Sequence, residues 1–138
     1  MSHRDRRASF RRRWSHEQGS ASVEFTLVSV LLVFLTLGVI QIALALHIRN
    51  TVADAASEGA RWAALADSDL NAGRGRTAEL IATAVGANYA ADITARLLNW
   101  RGQPAVEVTV VTALPIIGLW GPAIPLEVSG HAAREVLG

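Results

Sequence analysis

Residues 25–46 carry no charged side chain, and Thr26, Ser29, Thr36 and Gln41 are the polar members of the run. At about 1.5 Å per residue this stretch makes a helix of roughly 33 Å, the thickness of a bilayer's hydrocarbon. Lipid offers backbone amides no partner, so a spanning segment must be helical. The periodicity predicts that the helix continues past Leu46. In "HIRNTVADAASEGARWAALA", small or apolar residues fall at Ile48, Val52, Ala55, Gly59, Trp62 and Ala66. Their alternating steps of four and three draw one stripe along a helix. Arg49, Asp54, Ser57, Glu58 and Arg61 lie off the stripe, and Glu58 and Arg61 are spaced to pair. The small residues admit close approach of another element, with the chain's own sheet the first candidate.

Beyond Ala66 the pattern changes. "DSDLNAGRGR", Asp67 to Arg76, reads as a solvated loop. Asp67, Asp69 and Asn71 alternate as in a calcium loop, but Ala72 and Ala78 stand where that pattern needs glycine and glutamate. Thr77 is placed to cap a second helix from Ala78 to about Tyr89. Leu80, Ile81, Ala84 and Val85 form its apolar face, and Gly86 weakens its end. The period then becomes two. Ile93, Ala95 and Leu97 alternate with Thr94 and Arg96; Val106, Val108 and Val110 oppose Glu107, Thr109 and Val111; Ile124, Leu126 and Val128 oppose Glu127, Ser129 and His131. Arg101-Gly102-Gln103-Pro104 is a turn. Three strands over 93–100, 105–113 and 124–133 predict an antiparallel meander with one face on the helices and one in water. Arg96, Glu107 and Glu127 share the wet face, within reach of cross-strand pairing. The link between the last two strands, "LPIIGLWGPA", is apolar where loops are usually polar. Ile116, Ile117, Leu119 and Trp120 form a partner or membrane patch if this tip is free; the alternative is a tip folded back on the helix.

Charge adds orientation. Residues 1–19 hold six arginines against Asp5 and Glu17, whereas residues 47–138 hold seven arginines against nine acids. Short Arg-rich flanks stay in the cytoplasm, so the N-terminus is expected inside and residues 47–138 outside. Directly before a span, the basic stretch reads as a topology signal rather than a nucleic-acid tail. The chain has no cysteine, so neither disulfides nor thiolate metal sites are available.

A signal peptide and a plain anchor both fall short of the N-terminal pattern. Ala43-Leu44-Ala45 fits a signal-peptidase site, and a cut there would release a secreted protein, but the apolar core ahead of it is too long. Arg6-Arg7 lies too far from the apolar run for a twin-arginine signal. A plain anchor explains length and charge but not Glu24, an acid at the mouth of the run, unless Glu24 lies just outside the hydrocarbon and is merely solvated. "RRRWSHEQGSASVEF" resembles the class III signals cut by prepilin peptidases: a basic leader, a glycine before the cut, glutamate at the fifth mature position, then an apolar helix. A cut after Gly19 makes Ser20 the first residue and Glu24 the fifth. Glu24-Phe25 resembles the Glu-Tyr or Glu-Phe pair of Flp and Tad pilins; Ser20 departs from the phenylalanine common in type IV pilins. Residues 15–66, with Ala-Ala-x-x-Gly-Ala-Arg at Ala55 to Arg61, are similar to the N-terminal region of TadE-like proteins, the minor pseudopilins of Tad systems.

That resemblance implies a pilin-like α+β fold: a long N-terminal transmembrane helix, then a small outer domain with a second helix and the three-stranded meander. It divides the chain into a cytoplasmic leader (1–19), a transmembrane helix (20–46) and an extracytoplasmic domain (47–138). It implies docking of Glu24 and Phe25 against another pilin-like subunit. The expected partners are a prepilin peptidase, the Tad assembly platform, other minor pilins or the major Flp-type pilin, and the bilayer, with no nucleic acid. Catalytic patterns are not found. His3, His16, His47 and His131 have no metal-ligand spacing, and neither a Gly-x-Ser-x-Gly elbow nor a phosphate loop occurs. The expectation is a non-enzyme without cofactor, itself the substrate of a peptidase. The rival is an unprocessed, anchored binding or sensing module.

Overall fold

The computed structural model describes the backbone of residues 4–65, 68–90, 92–114 and 123–135, with side chains from residue 17 onward within those ranges. Two compact units divide the chain, Met1–Ile40 and Gln41–Gly138. Helix α1, Arg4–Ala64, contributes to both.

In the first unit, residues 17–40 of α1 are a bare apolar helix: Phe25, Leu31 and Phe34 are each about two-thirds or more exposed. Its hydroxyls turn inward on the helix itself. Thr26, Ser29 and Thr36 donate to the carbonyls of Ser22, Phe25 and Leu32, four residues back, at 2.8–2.9 Å. A helix whose hydroxyls are satisfied in this way presents lipid with an almost wholly apolar cylinder.

The second unit is an α+β domain. It contains residues 41–64 of α1, helix α2 (Leu70–Ala84), a 3₁₀ turn (Ala87–Ala90) and strands β1 (Asp92–Trp100), β2 (Gln103–Leu114) and β3 (Ile124–Ala133). The strands form one antiparallel sheet in the order β1-β2-β3, the expected meander. β2 is central, and its Val106, Val108 and Val110 are fully buried. They join Ile48, Val52, Ala55, Ala56, Ala60 and Ala63 of α1, Ile81 of α2, Ile93 of β1, and Leu126 and Val128 of β3 in one core.

The α1 stripe is broader than the steps of four and three suggest. Ile48, Val52, Ala55 and Gly59 are buried as expected, but Ala56, Ala60, Ala63 and Ala64 are buried too, and Trp62 stays 45% exposed. The reason is that α1 packs on two elements. An added Cβ at Gly59 would lie 1.8 Å from Thr77 Oγ1 of α2, and one at Gly130 of β3 would lie 2.3 Å from Ser57 N of α1. Trp62 sits at the flank, with the Arg76 guanidinium 5.9 Å from its ring centroid. Glu58 and Arg61 do pair, at 3.7 Å on the surface, a contact worth a few tenths of a kcal/mol.

The second helix begins earlier than expected, and the loop reading of residues 67–76 is corrected over most of its length. Asp69, extended at φ −121°, is the N-cap, and its carboxylate accepts from Ala72 N at 2.7 Å. Thr77 is not a cap but a buried mid-helix residue whose hydroxyl donates to Gly73 O at 2.9 Å. The helix also ends earlier, at Ala84. Gly86 at φ +113° donates to Ile81 O, and this left-handed exit breaks the helix before Tyr89.

The β1–β2 turn is the pair Arg101 and Gly102, at φ +53° and +82°, flanked by the Trp100–Gln103 pair. Two positive φ values give a primed hairpin turn, which favours asparagine at the first position. Arginine there costs about 1 kcal/mol in backbone strain. Its guanidinium over Trp100, 5.8 Å from the ring centroid, offsets part of that. Arg101→Asn is therefore expected to stabilise the fold by about 0.5–1 kcal/mol, read as a rise in the thermal midpoint in detergent; a fall would show that the Trp100 contact dominates.

Candidate functional site

Gly19, Ser20, Glu24 and Phe25 lie on α1 in the first unit, and all four are exposed. Ser20 and Glu24 are four residues apart, so they share one helix face about 6 Å apart along the axis. Phe25, 75% exposed, lies on the adjoining face. An added Cβ at Gly19 would meet nothing within 4 Å, and the Gly19–Ser20 bond lies within the helical stretch of α1. Among the described residues no ion pair involves Glu24. The carboxylate thus stands at the head of an apolar helix with no cation paired to it among the described residues. A carboxylate carried toward hydrocarbon in that state needs a positive group from elsewhere.

The chemistry of the second unit is concentrated on the outer face of the sheet. Arg96, Glu107 and His131 are register partners on β1, β2 and β3. Arg96 Nε donates to Glu107 Oε1 at 2.5 Å, and His131 Nε2 lies 2.6 Å from Glu107 Oε2. An ionised carboxylate only accepts, so Nε2 carries the proton of that bond. Trp100 stacks on the His131 ring, with centroids 4.3 Å apart. Glu107 is only 8% exposed beneath these neighbours. The hydrogen bond from Arg96 holds its carboxyl below the usual range; burial opposes this, and the His131 hydrogen bond reinforces it. Pairing of Arg96 with Glu107 matches the sequence expectation. Glu127 lies on the same face but opposite Val111, outside the cluster.

This cluster is a clamp across the three strands. Because the Glu107 pKa is lowered on folding, its stabilisation is complete above the unfolded value of 4.5. It is lost as the pH falls through the lower folded value. Glu107→Gln is expected to cost about 1–3 kcal/mol at neutral pH and to flatten the acid limb of stability. Thermal melts of both forms between about pH 6 and pH 3 check this; parallel acid limbs would remove Glu107 as the cause.

The sequence singled out His131 and Trp100 for nothing, because their meeting depends on strand register. The signal was present in the opposite charges of Arg96 and Glu107 on facing strands. The apolar residues Ile116, Ile117, Leu119 and Trp120 lie outside the described residues. Among the described residues no group of three or more His, Asp or Glu is placed to hold a metal ion. A groove of about 510 Å³ between α1 and α2, lined by Thr51, Asp54, Ser57, Glu58, Arg61 and Leu80, is open and contains no buried charge.

One described helix is long and apolar enough to cross a membrane: residues 17–64 contain an 18-residue window of mean hydropathy 2.7. Residues 19–61 match the model of the TadE-like protein family, which bears out the resemblance read on residues 15–66. The match covers Gly19, Ser20, Glu24, Phe25, the apolar run and the buried Ala/Gly stripe as far as Arg61; the strands lie outside it. None of the curated proteins and none of the solved structures matches the chain. The apolar helix and the family match together point to a membrane-anchored protein with a function connected to Tad pili.

Proposed function

We propose that this chain is a TadE-like minor pseudopilin that acts in assembly or priming of Tad-type pili. The observation that carries the reading is the TadE-like match over 19–61, which contains the Gly19–Ser20 bond and a Glu24 that has no ion-pair partner among the described residues, on one exposed helix face. A prepilin peptidase cuts after Gly19, removing the basic leader 1–19 on the cytoplasmic side. Residues 20–46 remain as the membrane helix, and residues 47–138 form the extracytoplasmic domain. The cut creates an ammonium at Ser20. In an assembly, the ammonium of a neighbouring pilin-like subunit neutralises Glu24 and sets the axial register of packed helices. Phe25 packs beside that pair. The role is non-catalytic: the protein is a peptidase substrate and a docking subunit. Its partners are the peptidase, the Tad assembly platform, and other minor pilins or the major pilin.

The test is the N-terminus of the mature protein, read by mass spectrometry of the membrane fraction. A terminus at Ser20, with or without a methyl group, is expected. An intact leader would overturn the processing step and leave an anchored binding module. A terminus at Leu46 would mean a secreted protein and end the pseudopilin reading.

A further inference from the structure

The β1–β2 hairpin holds a residue type that its backbone does not favour. Arg101, at φ +53°, occupies the turn position that suits asparagine. A strained position that keeps a large charged side chain is a sign of function. The Arg101 guanidinium lies over Trp100, which is 45% exposed and also stacks on the His131 ring. Trp100 is thus fixed before any partner arrives and has little freedom to lose on binding. Exposed, ordered tryptophan and arginine are the side chains that dominate protein interfaces. The same His131 lines an open cleft of about 310 Å³ between the end of α1 and β3, whose wall includes Arg61 and Glu135. His131 therefore joins the Trp100–Arg101 corner to the cleft in one surface.

Charge selects the kind of partner. On the outer sheet face, Asp92 and Glu127 flank Val111 in one register row, and Arg96 and His131 flank Glu107 four residues along. The two acids are therefore about 13 Å from the basic row, on the side away from the hairpin. Arg96 gives its Nε to the buried Glu107 and is still 72% exposed. Arg101 and Arg134 have no ion-pair partner among the described residues. The accessible charge at this end is thus mainly cationic. Its position turns it away from lipid. Ala64 O accepts from Glu135 N, and Pro104 O accepts from Arg134 N, so the hairpin end lies level with the C-terminus of α1. That is about 27 Å along the helix from Leu46, where the uncharged run ends. We infer that the Trp100–Arg101 corner and the adjoining cleft dock an acidic segment of a partner protein. Carboxylates of the segment meet Arg101 and Arg96, and its apolar side chains meet the Trp100 ring. The inference is independent of cleavage after Gly19; only the exclusion of lipid rests on α1 crossing the membrane.

The full chain in neutral detergent micelles is titrated with a fluorescein-labelled peptide of glutamate and leucine, read by fluorescence anisotropy. A peptide with arginine in place of glutamate is the comparison. The glutamate peptide is expected to bind and the arginine peptide not. Arg101→Asn is expected to weaken binding several-fold while the thermal midpoint rises, a combination that damage to the fold cannot produce. If that variant loses stability as well, Arg134→Gln decides: weaker binding at an unchanged midpoint supports the surface, and unchanged binding overturns it. Arg49→Gln removes the same charge from an exposed site at the other end of this stretch of α1 and is expected to leave affinity unchanged. Equal losses in Arg49→Gln and Arg101→Asn would mean attraction by net charge alone, and the docking surface falls. It falls too if the glutamate peptide does not bind, or binds Arg101→Asn as it binds the unaltered chain. Displacement of the peptide by phosphatidylglycerol added to the micelles would assign the surface to lipid headgroups and overturn the protein partner.

Discussion

Gly130→Ala is expected to destabilise the second unit by about 3 kcal/mol, at the top of the range for overpacked cores. The added Cβ would lie 2.3 Å from Ser57 N and 2.5 Å from Ala56 C and Ser57 Cα, all atoms of the α1 backbone. A side chain could rotate away; a helix backbone fixed by Ile48, Val52 and Ala60 in the core cannot. For a unit of this size each kcal/mol shifts the melting midpoint by about 4–8 °C, so a fall of roughly 12–24 °C is expected in detergent. Gly75→Ala is the control. Gly75 is also helical or extended within the fold's regular elements, here in α2, but an added Cβ meets nothing within 4 Å. Removing a helix glycine there should stabilise by up to about 1 kcal/mol. If the two variants melt alike, the close approach of β3 to α1 is wrong, and with it the placement of the sheet on the helix.

Gly59→Ala belongs to the same argument on the other side of α1. Its added Cβ would meet Thr77 Oγ1 at 1.8 Å and Gly73 O at 2.8 Å. The Thr77 hydroxyl can turn, but Gly73 O is backbone and already accepts from that hydroxyl. Gly59 of α1 and Gly130 of β3 therefore set one helix–helix and one helix–sheet distance, and the alanines of the buried α1 face fit the same close approaches.

These contacts show what a sequence pattern can reveal and where it stops. The long apolar helix, its continuation and the meander were legible because each rests on local periodicity: an uncharged run, a stripe of small residues, and three alternations of Val, Ile and Leu. The early start of α2 was not. "DSDLNAGRGR" contains two glycines and two aspartates, the composition of a loop. Yet Leu70, Gly73, Thr77 and Ile81 are spaced for one helix face, and the last three are buried. Gly73 is tolerated because its missing side chain lets α2 approach Gly59, a tertiary gain that local propensity does not contain. The Arg96–Glu107–His131 clamp was half legible. Opposite charges on neighbouring strands pointed to a pair, but the third member and the stacked Trp100 required the register. The placement of Ser20 and Glu24 on one exposed helix face was legible because it needs helix geometry alone.

That spacing leads to the largest functional effect. Glu24→Gln is expected to abolish or strongly reduce pilus assembly while leaving the protein anchored and cleaved. The substitution keeps the shape of the side chain and removes its charge. Glutamine costs less than a carboxylate in lipid, so insertion of residues 20–46 is not impaired. The proposed cut after Gly19 lies five residues upstream of Glu24, so the expected mature terminus at Ser20 should persist. Under the proposed docking, what is lost is the partner for a neighbouring subunit's ammonium. Leaving one charge of a desolvated pair without its counter-ion costs about 3–5 kcal/mol. That weakens association by roughly two to three and a half orders of magnitude. Phe25→Ala, which removes packing but no charge, should be milder. Three readouts separate the steps: membrane-fraction abundance for anchoring, the mass of the terminus for cleavage, and co-purification of pilin-like subunits with counts of surface pili for docking. Loss confined to the last readout is the expected result. Normal pili and complexes with glutamine at position 24 would mean that Glu24 is a solvated residue at the mouth of the span, and the docking role would fail.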